Sequence, residues 1–115
     1  MWLCFDRATG QLVGQSGLAE VEGTTQIEVY YALGTAYWGK GFATEAARAA
    51  VAFAFDTVGL DQIVAFAVPD NAASRRVIDK LGMTYRGEAD HFGLHLVEYT
   101  LSRQGWKADP PDRSA

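Results

Sequence analysis

Apolar and polar positions alternate with two different periods along this chain, and the switch between them separates its elements. The opening run Met1–Phe5 is apolar and reads as a strand, and Arg7-Ala8-Thr9-Gly10 reads as a turn. Leu12–Glu20 follows as a second strand, interrupted by Gly14 and Gly17, and Glu22-Gly23-Thr24 forms the next turn. Gln26–Leu33 then alternates strictly. Ile27, Val29, Tyr31 and Leu33 share one face, and Glu28, Tyr30 and Ala32 share the other. That is the pattern of a strand with one face on the core. Three short strands joined by glycine turns predict an antiparallel meander.

Beyond Gly34 the period lengthens. Gly39 and Gly41 fall in a loop, and Thr44–Thr57 is predicted as a helix that is apolar almost all round apart from an edge at Glu45 and Arg48. Gly59 supplies its stop. Gln62–Val68 is a nearly continuous apolar run, the pattern of a strand covered on both faces. Ala72–Leu81 is a second helix, with Asp70 or Asn71 as its N-cap and Gly82 at its end. Met83–Ala89 and Leu94–Ser102 close the pattern as two strands, and the tail from Lys107 carries two prolines and no apolar run. The order strand-strand-strand, helix, strand, helix, strand, strand predicts an α+β fold: a mixed sheet with helices packed on it. One domain is expected over residues 1–106, with residues 107–115 as a loose polar tail.

Composition narrows the function. The chain has 115 residues, 49% hydrophobic and 21% charged, with a net charge of −4. One core fits that length, and the acidic balance argues against non-specific binding to nucleic acid, which needs a basic face. The one cysteine, Cys4, allows no internal disulfide, and no apolar run is long enough for a signal core or a membrane span. A soluble, cytoplasmic protein is the expectation.

The chemistry concentrates where the period changes. Trp38-Gly39-Lys40-Gly41-Phe42-Ala43-Thr44 joins a strand to a helix start. Glycines let backbone approach a ligand closely, and first-turn N–H groups together with the helix dipole favour an anion. These features predict a phosphate or pyrophosphate site, with Lys40 adding a full charge. The spacing is neither that of a P-loop nor that of a dinucleotide fingerprint.

Gly39-Lys40-Gly41-Phe42-Ala43 resembles the pyrophosphate loop of the GNAT superfamily of acetyltransferases. Gly41 and Ala43 fill the last two positions of that family's pattern, while Trp38 stands where a glutamine or arginine is usual. Tyr-Trp-Gly-Lys-Gly followed by Ala-Thr-Glu-Ala is similar to the branch that acts on ribosomal-protein N-termini. Asn71-Ala72-Ala73-Ser74 with Lys80-Leu81-Gly82-Met83 resembles that branch's Asn-x-x-Ser helix and its exit, and Glu98-Tyr99-Thr100-Leu101 with Trp106 resembles its last strand. The resemblance covers about residues 3–106.

The resemblance implies a GNAT-like fold in which coenzyme A lies between two splayed strands. The strand Glu28–Leu33 would bind the pantetheine, with Leu33 at its end, and Trp38, Gly39, Lys40, Gly41, Phe42, Ala43 and Thr44 would hold the diphosphate. Asn71 and Ser74 would lie near the pantetheine and sulfur, and Arg75 or Arg76 near the adenosine phosphates. No metal is implied. Acetyl transfer requires a base to free the amine and a donor for the leaving thiolate. Glu28 is the candidate base. Many relatives donate from a tyrosine on the second helix, but Ile78 occupies that position here, so Ser74 is the candidate donor. Asn71 could equally serve as a helix cap, Glu28 as a solvent-facing strand residue, and the two arginines as solvated charges. Glu45 suits the helix start, His91 and His95 read as structural or exposed, and Cys4 reads as a core thiol rather than a nucleophile.

The expected function is N-acetyl transfer from acetyl-coenzyme A to a primary amine, on a small molecule or a protein N-terminus. The alternatives are a non-catalytic coenzyme-A-binding protein or truncated remnant, and a nucleotide or phosphate binder that shares only the loop. Relatives begin with one more strand and two helices. A misassigned start, a minimal protein and a fold completed by a second copy all accommodate this, and apolar surface on that side leads to the expectation of a homodimer.

Overall fold

The computed structural model describes residues 2–21, 23–33, 41–91 and 93–108. Strands β1 (Trp2–Phe5), β2 (Leu12–Glu20) and β3 (Ile27–Leu33) form the predicted meander. Helix α1 (Phe42–Ala52) runs into a π-helical segment, Phe53–Val58, and strand β4 (Gln62–Ala67) follows. Helix α2 (Ala72–Lys80), strands β5 (Thr84–His91) and β6 (Leu94–Ser102), and helix α3 (Arg103–Ala108) complete the order. The six strands make one mixed sheet in the order β1-β2-β3-β4-β6-β5. Its pairs are antiparallel except β3 with β4.

The parallel pair sets the geometry of the molecule. Within the described residues β3 registers with β4 only at Glu28 opposite Val64. Continuing that register would place Tyr31 opposite Ala67, but among the described residues no further pair joins the two strands, which leaves a gap in the ladder beyond Glu28 and Val64. The flanking antiparallel ladders run unbroken on either side of this gap, from Glu20↔Ile27 to Gly14↔Leu33 and from Gln62↔Ser102 to Ala67↔Val97.

The core lies on one face. Val29, Ile63, Ala65, Ala67, Val97, Tyr99 and Leu101 point from the strands toward Ala43, Ala47, Ala50, Val51 and Ala54 of the first helix and Val77 and Ile78 of the second. Alanine dominates α1 because its backbone lies close to the sheet: Ala47, Ala50 and Val51 retain no exposed surface. Phe55 is buried and meets Trp106 with ring centroids 6.3 Å apart. Removing a side chain such as Phe55 from water contributes about 1.5–3 kcal/mol.

Several element boundaries differ from the sequence pattern. α1 begins at Phe42, two residues before Thr44, because Gly41 takes a left-handed conformation (φ 85) and directly precedes the first turn. The predicted helix reaches Val58 only by widening, with the N–H of Leu60 returning to the carbonyl of Ala54, and Gly59 (φ 81) terminates it. Met83 precedes β5 rather than opening it and is buried in the core. β5 runs on to His91, with a register shift between Tyr85 and Gly87. Trp106, read from the sequence as part of the last strand, sits instead on α3, whose start is fastened by the Arg103 N–H to the Asp61 carbonyl. α3 ends at Ala108, two residues into the stretch read from the sequence as a tail. Cys4 is half-buried beside Ser16 rather than enclosed in the core.

Candidate functional site

The gap between β3 and β4 has different chemistry on its two sides, because residues 28 and 31 point to opposite faces of the same strand. On the helix side, the Tyr31 hydroxyl crosses from β3 to the first turn of α2. It lies 2.9 Å from Ser74 Oγ and 3.1 Å from the Ser74 carbonyl oxygen, to which it donates. Ser74 is buried and Tyr31 mostly so. Burial pushes the tyrosine hydroxyl above its ordinary pKa, and the bond to Ser74 pulls it partly back. Ser74 is fixed in turn by its N–H, which donates to Asn71 Oδ1 at 3.0 Å. Asn71 is therefore the N-cap of α2, satisfying one of the donors that a helix start leaves open.

On the opposite face Glu28 is half-buried beside its pairing partner Val64. Burial raises its carboxyl above the usual carboxylate range, and the His91 imidazole draws it partly back. His91 is held in a small polar and aromatic group: its ring lies 4.7 Å from the Phe66 ring, and its Nε2 is 3.8 Å from Glu98 Oε1. The electrostatic influence of His91 on Glu28 was not visible in the sequence. It depends on β5, β6, β4 and β3 lying in that spatial order. His95, by contrast, stands exposed on the β5–β6 hairpin between Glu88 and Asp90, which hold its imidazole above the ordinary value.

The start of α1 supplies the third component. Gly41 has no side chain to cap the helix, a Cβ added there would meet nothing within 4 Å, and its left-handed backbone would strain any other residue. Gly41, Ala43 and Thr44 line a cavity of about 100 Å³ with Ala73, Arg76, Val77 and Lys80 of α2. Two cations one helical turn apart thus face the positive end of another helix. An anionic group fits this donor set. Trp38, Gly39 and Lys40 lie outside the described residues. Phe42 turns away from the cavity and lines a separate groove of about 470 Å³ with Cys4, Phe5, Glu45, Ala46 and Ala49. Leu33 closes β3.

The two arginines separate clearly. Arg75 Nε donates to Tyr99 Oη at 3.0 Å, and its Nη1 donates to the Pro69 carbonyl at 3.1 Å. Arg76 is exposed and reaches the cavity at Gly41. Ile78 is completely buried in the core, so its position offers no group to the gap. Ser74 and Glu28 are not brought together; the sheet stands between them. The residue missed by sequence reasoning is Tyr31, which alternation marked only as core-facing. Among the described residues no His, Cys, Asp and Glu side chains cluster to hold a metal ion.

Comparison with known proteins agrees with this geometry. Residues 1–84 match the family model described as an acetyltransferase (GNAT) domain. The Bacillus subtilis (strain 168) protein YkkB is 37% identical over 87 residues, covering 74% of this chain and 51% of its own length. The FsC-acetyl coenzyme A-N(2)-transacetylase of Aspergillus fumigatus is 33% identical over 121 residues, covering 91% of this chain and 51% of its own. The chain thus spans about half the length of the curated relatives it matches. Among solved structures, the ribosomal-protein-S5-alanine acetyltransferase of Vibrio fischeri superposes with a TM-score of 0.78 at 21% identity, covering 90% of this chain and 61% of that one, a likeness of fold. A parted parallel strand pair, a basic cavity at an uncapped helix start and the match over residues 1–84 together identify the chain as a member of the GNAT acetyltransferase family.

Proposed function

We propose that this chain is the core of an N-acetyltransferase that moves an acetyl group from acetyl-coenzyme A to a primary amine. The observation that carries the reading is the gap between β3 and β4, with the basic cavity of Gly41, Arg76 and Lys80 at one end and a half-buried carboxylate on its far face. The diphosphate is assigned to residues 38–44, with the backbone of β3 up to Leu33 along the pantetheine and Asn71 and Ser74 near its sulfur. Arg75 is already engaged by Tyr99 and Pro69, so the phosphate role falls to Arg76 with Lys80. Glu28 takes the proton that makes the amine nucleophilic, and strand N–H groups supply donors for the oxyanion. Ser74 faces the leaving sulfur.

The relatives' names are consistent with an amine acceptor: one names acetyl coenzyme A and the other a ribosomal-protein alanine. A second reading, a coenzyme-A binder without turnover, is favoured by Ile78, which is buried where many relatives carry a donor tyrosine. The reading also places the chain in a reducing cytoplasmic compartment, on the ground that Cys4 has no second cysteine to pair with. Among the described residues no helix is long and apolar enough to cross a membrane.

Coenzyme A is expected to raise the melting temperature more than ATP at equal concentration. Acetyl-coenzyme A with spermidine, an aminoglycoside or an alanine-initiated peptide is expected to release free thiol. Stabilisation without thiol release would establish the non-catalytic reading, and equal stabilisation by ATP would reduce the site to a general phosphate binder.

Glu28 makes a pH-dependent claim. As a base it acts only when ionised, so the acid limb of kcat/KM should lie above the ordinary carboxylate range. Replacing it, Glu28→Gln, should remove that limb and lower kcat/KM by roughly a hundredfold or more. Stability should move the other way. A carboxyl raised in the folded state contributes stability below its unfolded value, and that stability is lost as pH rises through the folded value. Glu28→Gln should therefore match or exceed the parent in melting temperature at neutral pH, with the difference closing toward pH 4 and below, near the unfolded carboxyl value of about 4.3. A Glu28→Gln enzyme with an unchanged pH profile would remove Glu28 from the reaction.

Leu3, Phe5 and Leu12 stand exposed at the β1–β2 edge, and this apolar patch supports the expected homodimer. Light scattering at micromolar concentration should give twice the chain mass, and a monomer would remove the dimer from the account.

A further inference from the structure

We propose that Tyr31 is a positioning residue for acetyl transfer, holding the Ser74 hydroxyl so that its proton is free for the leaving sulfur. The inference rests on the reading of this site as an acetyltransferase. The geometry comes from β3 and α2 alone. Tyr31 Oη lies within hydrogen-bond distance of both the Ser74 carbonyl oxygen and Ser74 Oγ. The tyrosine has one proton and can spend it on either acceptor. When it donates to the carbonyl, the serine proton is taken up by Tyr31 Oη. When it donates to Ser74 Oγ, the serine proton is released to point elsewhere. The two arrangements differ by rotation of two hydroxyl hydrogens, with no movement of heavy atoms.

The placement suits that role. Tyr31 lies three residues beyond Glu28, where β3 and β4 no longer pair, and its side chain spans to the first turn of the helix that follows β4. Ser74 cannot turn away, because its N–H is held by Asn71 Oδ1 and its side chain is buried. The usual donor position is closed by Ile78, which points into the core. As the amine attacks, the carbon–sulfur bond of the thioester breaks and its electron pair passes to sulfur. The sulfur leaves as a thiol with the Ser74 proton, Ser74 takes the Tyr31 proton, and Tyr31 takes one from water. The amine's own proton passes through Glu28 to water, so the transfer is balanced without a further reactant.

The test uses Tyr31→Phe, Ser74→Ala and the double variant, each checked for melting temperature and coenzyme A affinity. Two readouts follow: turnover of acetyl-coenzyme A with whichever of spermidine, an aminoglycoside or an alanine-initiated peptide the parent accepts, and titration of the bound coenzyme A thiol by its thiolate absorbance. Tyr31→Phe should lower kcat about tenfold, a part of the about 10²- to 10⁴-fold that positioned proton transfer supplies, with KM for acetyl-coenzyme A little changed. The bound thiol should titrate at higher pH than in the parent. The double variant should be no worse than Ser74→Ala, because both changes remove one unit, and Ser74→Thr, which keeps a hydroxyl, should retain part of the activity. A Tyr31→Phe protein with parental kcat and parental thiol titration overturns the inference and leaves the acetyltransferase reading standing. Losses that add in the double variant, or a change confined to melting temperature and affinity, reduce the contact to a brace and also overturn it. If the parent binds coenzyme A without turnover, the thiol titration alone decides. If it binds no coenzyme A, both this inference and the reading beneath it fall.

Discussion

The parallel pairing of β3 with β4, and its end after Glu28 opposite Val64, is the constraint on which the rest of the molecule depends. Backbone N–H and C=O groups must find partners, and two neighbouring strands normally give them to each other. Here each strand is held firmly by its antiparallel neighbour, β3 by β2 and β4 by β6, so the sheet keeps its integrity while its centre opens. The helices stabilise the same arrangement. α1 packs its alanines against β2 and β3, and α2 packs Val77 and Ile78 into the core that continues beneath β4 and β6. The gap is therefore a product of the best-buried part of the protein and not of a loose loop.

The gap divides the chemistry by face. Tyr31 and Ser74 meet on the helix side, in a semi-enclosed setting where hydrogen bonds are strong and an unmet polar group would be costly. Glu28 lies on the other side, under the charge of His91 from the edge strand β5, whose imidazole lies near Glu98 of β6. In the proposed reaction these groups have opposed tasks, one giving and one taking a proton, and their separation keeps them from neutralising each other. The uncapped start of α1 and the cations of α2 line a basic cavity, which the proposed reading gives to the diphosphate.

Most of the fold was legible from periodicity. The meander, both main helices and the last two strands follow from alternation, from the apolar helix pattern and from the glycines at 59 and 82. What escaped was set by tertiary contact. The widened turn at Phe53–Val58 has no local signature, and α3 gives only a short helical pattern whose anchor, Trp106, is defined by its packing on Phe55. The site shows the same division. Gly41, Asn71 and Ser74 were readable because local backbone demands and a recognisable motif name them. Tyr31 was not, because alternation assigns a residue to a face without showing what it touches there. Arg75 and Arg76 were indistinguishable as neighbours; only the positions of Tyr99 and Pro69 separate them. Glu28 was visible as an acid on a strand, but His91, whose charge acts on it, lies 63 positions away and is brought near by the strand order.

The measurement closest to the central claim is a crystal structure of the protein with coenzyme A. The account predicts the pantetheine lying in the gap beyond the Glu28–Val64 pair, the diphosphate at the start of α1 beside Arg76 and Lys80, and the sulfur facing Ser74. A structure in which β3 and β4 close into a continuous ladder, with the ligand bound elsewhere, would contradict it.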